Sequence, residues 1–160
     1  MKIPLDVRKH SEGLKPFATI HLKIPNQKTI RGTTIRGIIW PFVDTGSPLT
    51  IISETDSEKL GIEVSGTPEK IWLGGAQLNS YNLKRVVLKV VCEDKKTICD
   101  ISIPEVGVIR PILSNENSIL VSKSIPSIIG VDLLEYHRLA LYFDAYNQIS
   151  YLEKVQKKKK

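Results

Sequence analysis

Apolar and polar residues alternate along much of the chain, and a period of two predicts strands buried on one face. Phe17-Ala18-Thr19-Ile20-His21-Leu22-Lys23-Ile24 reads this way, until the polar turn Pro25-Asn26-Gln27 breaks it. A second extended run, Ile30 to Trp40, leads through Pro41-Phe42-Val43 into Asp44-Thr45-Gly46-Ser47, after which Leu49 to Ile52 resumes as a strand. Ser53 is placed to cap a short helix over Glu54 to Leu60, and Gly61 follows where a left-handed C-terminal residue belongs. Lys70-Ile71-Trp72-Leu73 then runs into the pair Gly74-Gly75.

The β-branched stretch Leu83 to Val91 predicts a strand whose partner is Thr97 to Ile103. A tight turn at Lys95-Lys96 would bring Cys92 opposite Cys99, close enough to bridge, although two reduced, buried thiols are the expected state. Pro104 to Pro126 reads as an excursion of strand and loop around the polar turn Ser114-Asn115-Glu116-Asn117. Ser127-Ile128-Ile129-Gly130 has the pattern of a buried strand, Asp132 to Arg138 that of a helix, and Leu139 to Phe143 that of another strand. Asp144-Ala145-Tyr146-Asn147 turns the chain back into Ile149-Ser150-Tyr151-Leu152. The expectation is a mostly β chain with one or two short helices and no internal repeat.

Composition narrows the class. With 160 residues, 41% hydrophobic and 25% charged, the chain suits a single globular domain and neither a disordered nor a fibrous one. The longest nearly apolar run, Ile38 to Val43, is far below the ~18 residues of a membrane helix, and Met1 to Lys15 has no apolar signal core. A cytoplasmic protein without a membrane partner is therefore expected. Of the net charge of +6, four units come from Lys157 to Lys160, which reads as a solvated tail, so a nucleic-acid partner is not expected. Two cysteines without a neighbouring His make no metal signature, and no cofactor or metal is expected. The divisions drawn are an N-terminal extension over 1–15, one domain over 16–153 and a basic tail over 154–160.

The informative constellation is Asp44-Thr45-Gly46-Ser47, because a carboxylate between two apolar strands is costly unless hydrogen-bonded or used. Three segments in order resemble the retropepsin family, the retroviral-type aspartic proteases and their cellular relatives. They are Asp44-Thr45-Gly46-Ser47 for the catalytic loop, Trp72-Leu73-Gly74-Gly75-Ala76 for the glycine-bearing flap, and Ile128-Ile129-Gly130-Val131-Asp132-Leu133-Leu134 for the strand crossing beneath that loop. The resemblance implies a closed β-barrel of the acid protease fold and an aspartic endopeptidase.

It also implies roles. Asp44, Thr45 and Gly46 would be catalytic: Thr45 would bond across two loops, and Gly46 would let backbone approach the carboxylate. Ser47 would donate to that carboxylate, and Leu73, Gly74, Gly75, Ala76 and Ile128 would contact an extended peptide or unfolded protein substrate. The chain has one Asp-Thr-Gly, so the second carboxylate would come from a second copy in a symmetric homodimer. Pro48-Leu49 and Val131 stand where viral members carry a paired Asp and Arg. The competing reading is a non-catalytic module of this fold that dimerises or holds peptides.

Overall fold

In the computed structural model of the protein, residues 1–11 and 13–156 are described. The chain runs through β1 (Lys2–Pro4), β2 (Asp6–His10), β3 (Gly13–Phe17), β4 (Ile20–Lys28), β5 (Thr34–Ile39), β6 (Phe42–Val43), β7 (Ile51–Ile52) and α1 (Glu54–Leu60). It continues through β8 (Glu69–Leu73), β9 (Ala76–Lys84), β10 (Val87–Val91), β11 (Ile98–Asp100), β12 (Glu105–Arg110) and α2 (Glu116–Ser124). Last come β13 (Ile128–Ile129), α3 (Val131–His137), β14 (Leu139–Asp144) and β15 (Ile149–Lys154). The chain is mostly β, as its alternation predicts.

The strands form three sheets, in the orders β1-β15-β14, β11-β10-β4-β5 and β2-β3-β6-β13-β7-β12-β9-β8. Each sheet ends in two edge strands, so the expected closed barrel is not what forms. Closure comes instead from side chains. Ile20, Leu22 and Ile24 of β4, Leu88 and Val90 of β10, Ile129, Leu133 and Leu152 meet in one core drawn from all three sheets. Fully burying such a side chain stabilises by roughly 1.5–3 kcal/mol. A second, smaller core joins Phe17, Phe42, Ile51, Leu78, Ile109 and Ile128 beneath the hairpin of β8 and β9.

Local chemistry accounts for two helix ends as expected. Ser53 accepts a hydrogen bond from the Asp56 N–H at the start of α1, and Gly61 ends it at φ 68°. The excursion between Pro104 and Pro126 differs from expectation, because it holds strand β12 and helix α2. Asn115, read as part of a turn, is the N-cap of α2, and its side chain accepts from the Ser118 N–H. There are thus three helices among the described residues. None of the described helices is long and apolar enough to cross a membrane.

The segment 1–15, set apart above as an extension, is built into two sheets. Ile3 pairs with Leu152 and is 1% exposed, and β2 pairs with β3 along the edge of the largest sheet. In the basic tail, Lys154 closes β15, and residues 157–160 lie outside the described residues. The cysteine hairpin is also corrected. Its register pairs Val91 with Ile98 and Val90 with Cys99, and the Cys92 N–H donates to Thr97 O at 2.8 Å, two residues off the expected alignment. Asp94 sets this longer loop by accepting from the N–H groups of Lys96 and Thr97. Cys92 and Cys99 are then diagonal neighbours with Cα atoms 6.7 Å apart, and they are disulfide-bonded rather than reduced.

Candidate active site

Asp44 follows directly on β6, where the chain must turn before β7. Its N–H donates to Ile129 O at 3.0 Å, its carbonyl accepts from the Ser47 N–H at 3.1 Å, and its Oδ1 accepts from the Gly46 N–H at 2.9 Å. The carboxylate is therefore aimed by its own loop. A side chain at position 46 would place its Cβ 3.2 Å from that same oxygen, which is why glycine suits it. Thr45 and Gly46 are exposed, whereas Ser47 is buried. The Ser47 hydroxyl turns inward and donates to Leu49 O at 2.9 Å, so the expected bond to the Asp44 carboxylate is not formed.

Strand β13 passes beneath this loop, parallel to β6 (Ile128 opposite Phe42, Ile129 opposite Val43) and antiparallel to β7 (Ile128 opposite Ile51). The crossing is very close. A Cβ on Gly130 would lie 2.4 Å from both the carbonyl carbon and the oxygen of Leu49. Three further bonds lock it: the Gly130 N–H to Thr50 Oγ1 (3.0 Å), Thr50 Oγ1 to Asp132 Oδ1 (2.6 Å), and the Thr50 N–H to Asp132 Oδ2 (3.0 Å). The Val131 N–H also donates to Ser47 O at 2.9 Å. Asp132 and Thr50 thus brace the loop. The sequence reading assigned neither a role; an Asp after Gly130 facing a Thr after the loop was the available signal.

Beside Asp44 lies a cavity of about 270 Å³. Phe42 and Ile128 form its floor, and Leu73 and Gly74 of the β8–β9 hairpin stand over it. Gly74 and Gly75 form the hairpin's two-residue turn with φ of 59° and 80°, values a side chain would make costly. The structure therefore gathers four of the expected site residues, Asp44, Leu73, Gly74 and Ile128, around one space. Ser47 (5% exposed) and Ala76 (2% exposed) are instead turned into the protein, and Gly75 points to solvent at the turn. Trp72 is 75% exposed on the hairpin, while Trp40 packs beneath the cations of Arg8 and Lys59.

Sequence reasoning missed two contributors to this cavity. His10, Ser11 and Lys15 reach it from the β2–β3 hairpin, and Val121, Ser124 and Ile125 from α2 and its C-terminal end. Lys15 Nζ stands 4.7 Å from the centre of the Phe42 ring, so one cation lies against the apolar floor. Among the described residues, no group of three His, Cys, Asp or Glu side chains is arranged to hold a metal ion. What one chain presents is a positioned carboxylate beside a small cavity of mixed polar and apolar lining, under a hairpin.

No family model matches the chain, and no curated protein sequence does. Among solved structures it is similar to a retropepsin-like aspartic protease from Rickettsia conorii. The likeness has a TM-score of 0.51 at 16% identity, covering 96% of this chain and 91% of that one. At this identity it establishes a shared fold.

Proposed function

We propose that the protein is an aspartic endopeptidase that acts as a homodimer, with one Asp44 from each copy. Two carboxylates about 3 Å apart cannot both ionise, so they share one proton. The ionised member takes a proton from water as it attacks the peptide carbonyl; the protonated member donates to the carbonyl oxygen. Thr45 and Gly46, exposed at the loop's outer side, face the second copy. An extended peptide lies between the β8–β9 hairpin and the Ile128 floor, with backbone bonds to strand edges and side chains in cavities such as that beside Asp44. The observation that carries this reading is the Asp44 loop itself, with its carboxylate held by Gly46 and its backbone by the crossing strand.

The test is incubation of purified protein with an unfolded polypeptide between pH 3 and 7, beside the Asp44→Asn variant. Wild type should cleave, with a bell-shaped pH profile, and the variant should lose at least about 10²–10⁴-fold. A tenfold excess of variant mixed with wild type should leave about one-tenth of the activity, because random pairing puts most active chains in dead heterodimers. Equal cleavage by the variant would sink the catalytic assignment. Activity unmoved by excess variant would sink the shared site. No cleavage of any substrate would favour a peptide-holding module.

A further inference from the structure

The sheet of β11, β10, β4 and β5 buries one face in the core and turns the other outward. Its period of two sends Leu22, Ile35 and Leu88 inward and His21, Lys23, Arg36 and Lys89 to the opposite face. That outer face is hollowed into a groove of about 660 Å³, lined by residues of these four strands alone. The groove shares no residue with the cavity beside Asp44.

Strand register gathers the basic side chains into two rows. His21 stands opposite Lys89, and Lys23 stands opposite Arg36. Directly opposed residues lie about 5 Å apart, and residues two apart along one strand lie ~6.8 Å apart. Like charges placed opposite one another weaken a sheet, so folding alone gives no reason for the Lys23–Arg36 pair. Among the described residues, Lys23, Arg36 and Lys89 form no salt bridge. Asp100, opposite Lys89, is the one acid in the lining. Ile38 extends the first row and Val87 the second, so each row also offers apolar surface. No Phe, Tyr or Trp lines the groove, which therefore lacks the stacking platform of a single-stranded nucleic-acid site.

We propose that this groove docks an extended acidic peptide whose two carboxylates are separated by one residue. In an extended chain, side chains two apart share a face at ~6.8 Å, which is the separation of the two rows. One carboxylate sits between His21 and Lys89, and the other between Lys23 and Arg36. Arg36 presents the planar fork that suits a carboxylate, and the His21 ring offers an N–H whichever tautomer it holds. Apolar neighbours of the two acids rest on Ile38 and Val87. Asp100, at the end of the first row, repels any acid placed further toward β11. This proposal does not rest on the peptidase reading, and the docked peptide need not be cut.

The experiment uses the Asp44→Asn protein and reads binding alone, at low salt. Two peptides of one composition, each with an uncharged fluorophore, are titrated: one is centred on Glu-Ser-Glu and the other on Glu-Glu-Ser. Adjacent acids fall on opposite faces of an extended chain, so only the first peptide engages both rows. It should bind at least about threefold more tightly, as expected from two further exposed ion pairs, and the preference should shrink as salt is raised. Adding Lys23→Gln with Arg36→Gln should abolish the preference. Lys95→Gln with Lys96→Gln, which removes the same charge from the β10–β11 loop, should keep it. If the Lys23→Gln/Arg36→Gln protein does not fold, Lys89→Gln carries the same comparison from the other row. Equal affinities, binding of neither peptide, or a preference that survives Lys23→Gln/Arg36→Gln overturns the proposal. So does displacement of the peptide by oligothymidylate at lower concentration than by unlabelled peptide, which would assign the groove to nucleic acid. Cleavage by the unsubstituted protein alongside equal affinities would leave the peptidase reading standing, and a preference without any cleavage would remove only that reading.

Discussion

Replacing Gly130 with alanine tests whether the crossing under the Asp44 loop is as close as it looks. The backbone at this position has φ −92° and ψ −179°, which any residue adopts, so the change costs nothing in local conformation. Its whole effect is steric. The added methyl would lie 2.4 Å from the Leu49 carbonyl carbon and oxygen and 2.9 Å from its nitrogen, against the ~3.5–4.0 Å of an ordinary contact. These are backbone atoms of the loop, so relief requires the loop to lift. Lifting it stretches the bonds from Gly130 to Thr50 and from Val131 to Ser47. Overpacking of this kind costs about 1–3 kcal/mol, and each bond lost adds about 0.5–1.5 kcal/mol. The expected loss is about 2–6 kcal/mol, or a Tm lowered by roughly 4–24 °C. Urea unfolding at one fixed protein concentration measures it, with constant m-value as the check on two-state behaviour. Gly61→Ala is the control: φ is 68° with nothing within 4 Å of the new methyl, so only the conformational cost of about 1 kcal/mol applies. A Gly130→Ala protein within 1 kcal/mol of wild type would refute the reasoning.

The turn carboxylates give a pH dependence. The N–H and side-chain amide of Asn147 hold Asp144 below the ordinary 3.8, and the Thr97 hydroxyl followed by the Thr97 and Lys96 N–H groups does the same for Asp94. A lowered folded pKa means the stabilisation is present above the unfolded value and lost as pH falls through the folded one. Urea midpoints from pH 5 to 2 should therefore fall less steeply for Asp94→Ala/Asp144→Ala than for wild type; parallel curves would contradict this. Cys92 and Cys99 close a loop with a sequence separation of 7, for which chain entropy gives about 2.5 kcal/mol. Cys92→Ala/Cys99→Ala should lower Tm by roughly 5–10 °C and leave peptide binding unchanged, since neither residue lines the cavity beside Asp44. An unchanged Tm would show that the bridge does not constrain the unfolded chain.

Strands with one buried face were legible because their alternation is regular, as in Ile20, Leu22 and Ile24. The crossing of the Ile128–Gly130 strand beneath the Asp44 loop came from the family resemblance of that segment, and the structure adds the reason for its glycine, since a Cβ there would strike Leu49. Helix α2 was hidden for a physical reason. Its fully buried positions are Ser118 and Ser122, while Leu120 is 70% exposed, so the apolar pattern marks the wrong face. Hydrogen bonds rather than apolar contact hold those serines. The signal that remained was the N-cap, Asn115 three residues before Ser118, with Pro126 just past the end. The cysteine register failed because Asp94, accepting from the N–H groups of Lys96 and Thr97, organises a loop longer than a two-residue Lys95-Lys96 turn.

The pairing of Ile3 with Leu152 sets a clock. A ribosome adding about 5–20 residues per second needs roughly 7–30 s to make the intervening ~150 residues. Throughout that interval Ile3 has no partner strand, and until position 129 emerges the Asp44 N–H lacks the carbonyl that orients its loop. A nascent chain thus carries its carboxylate long before it carries a site.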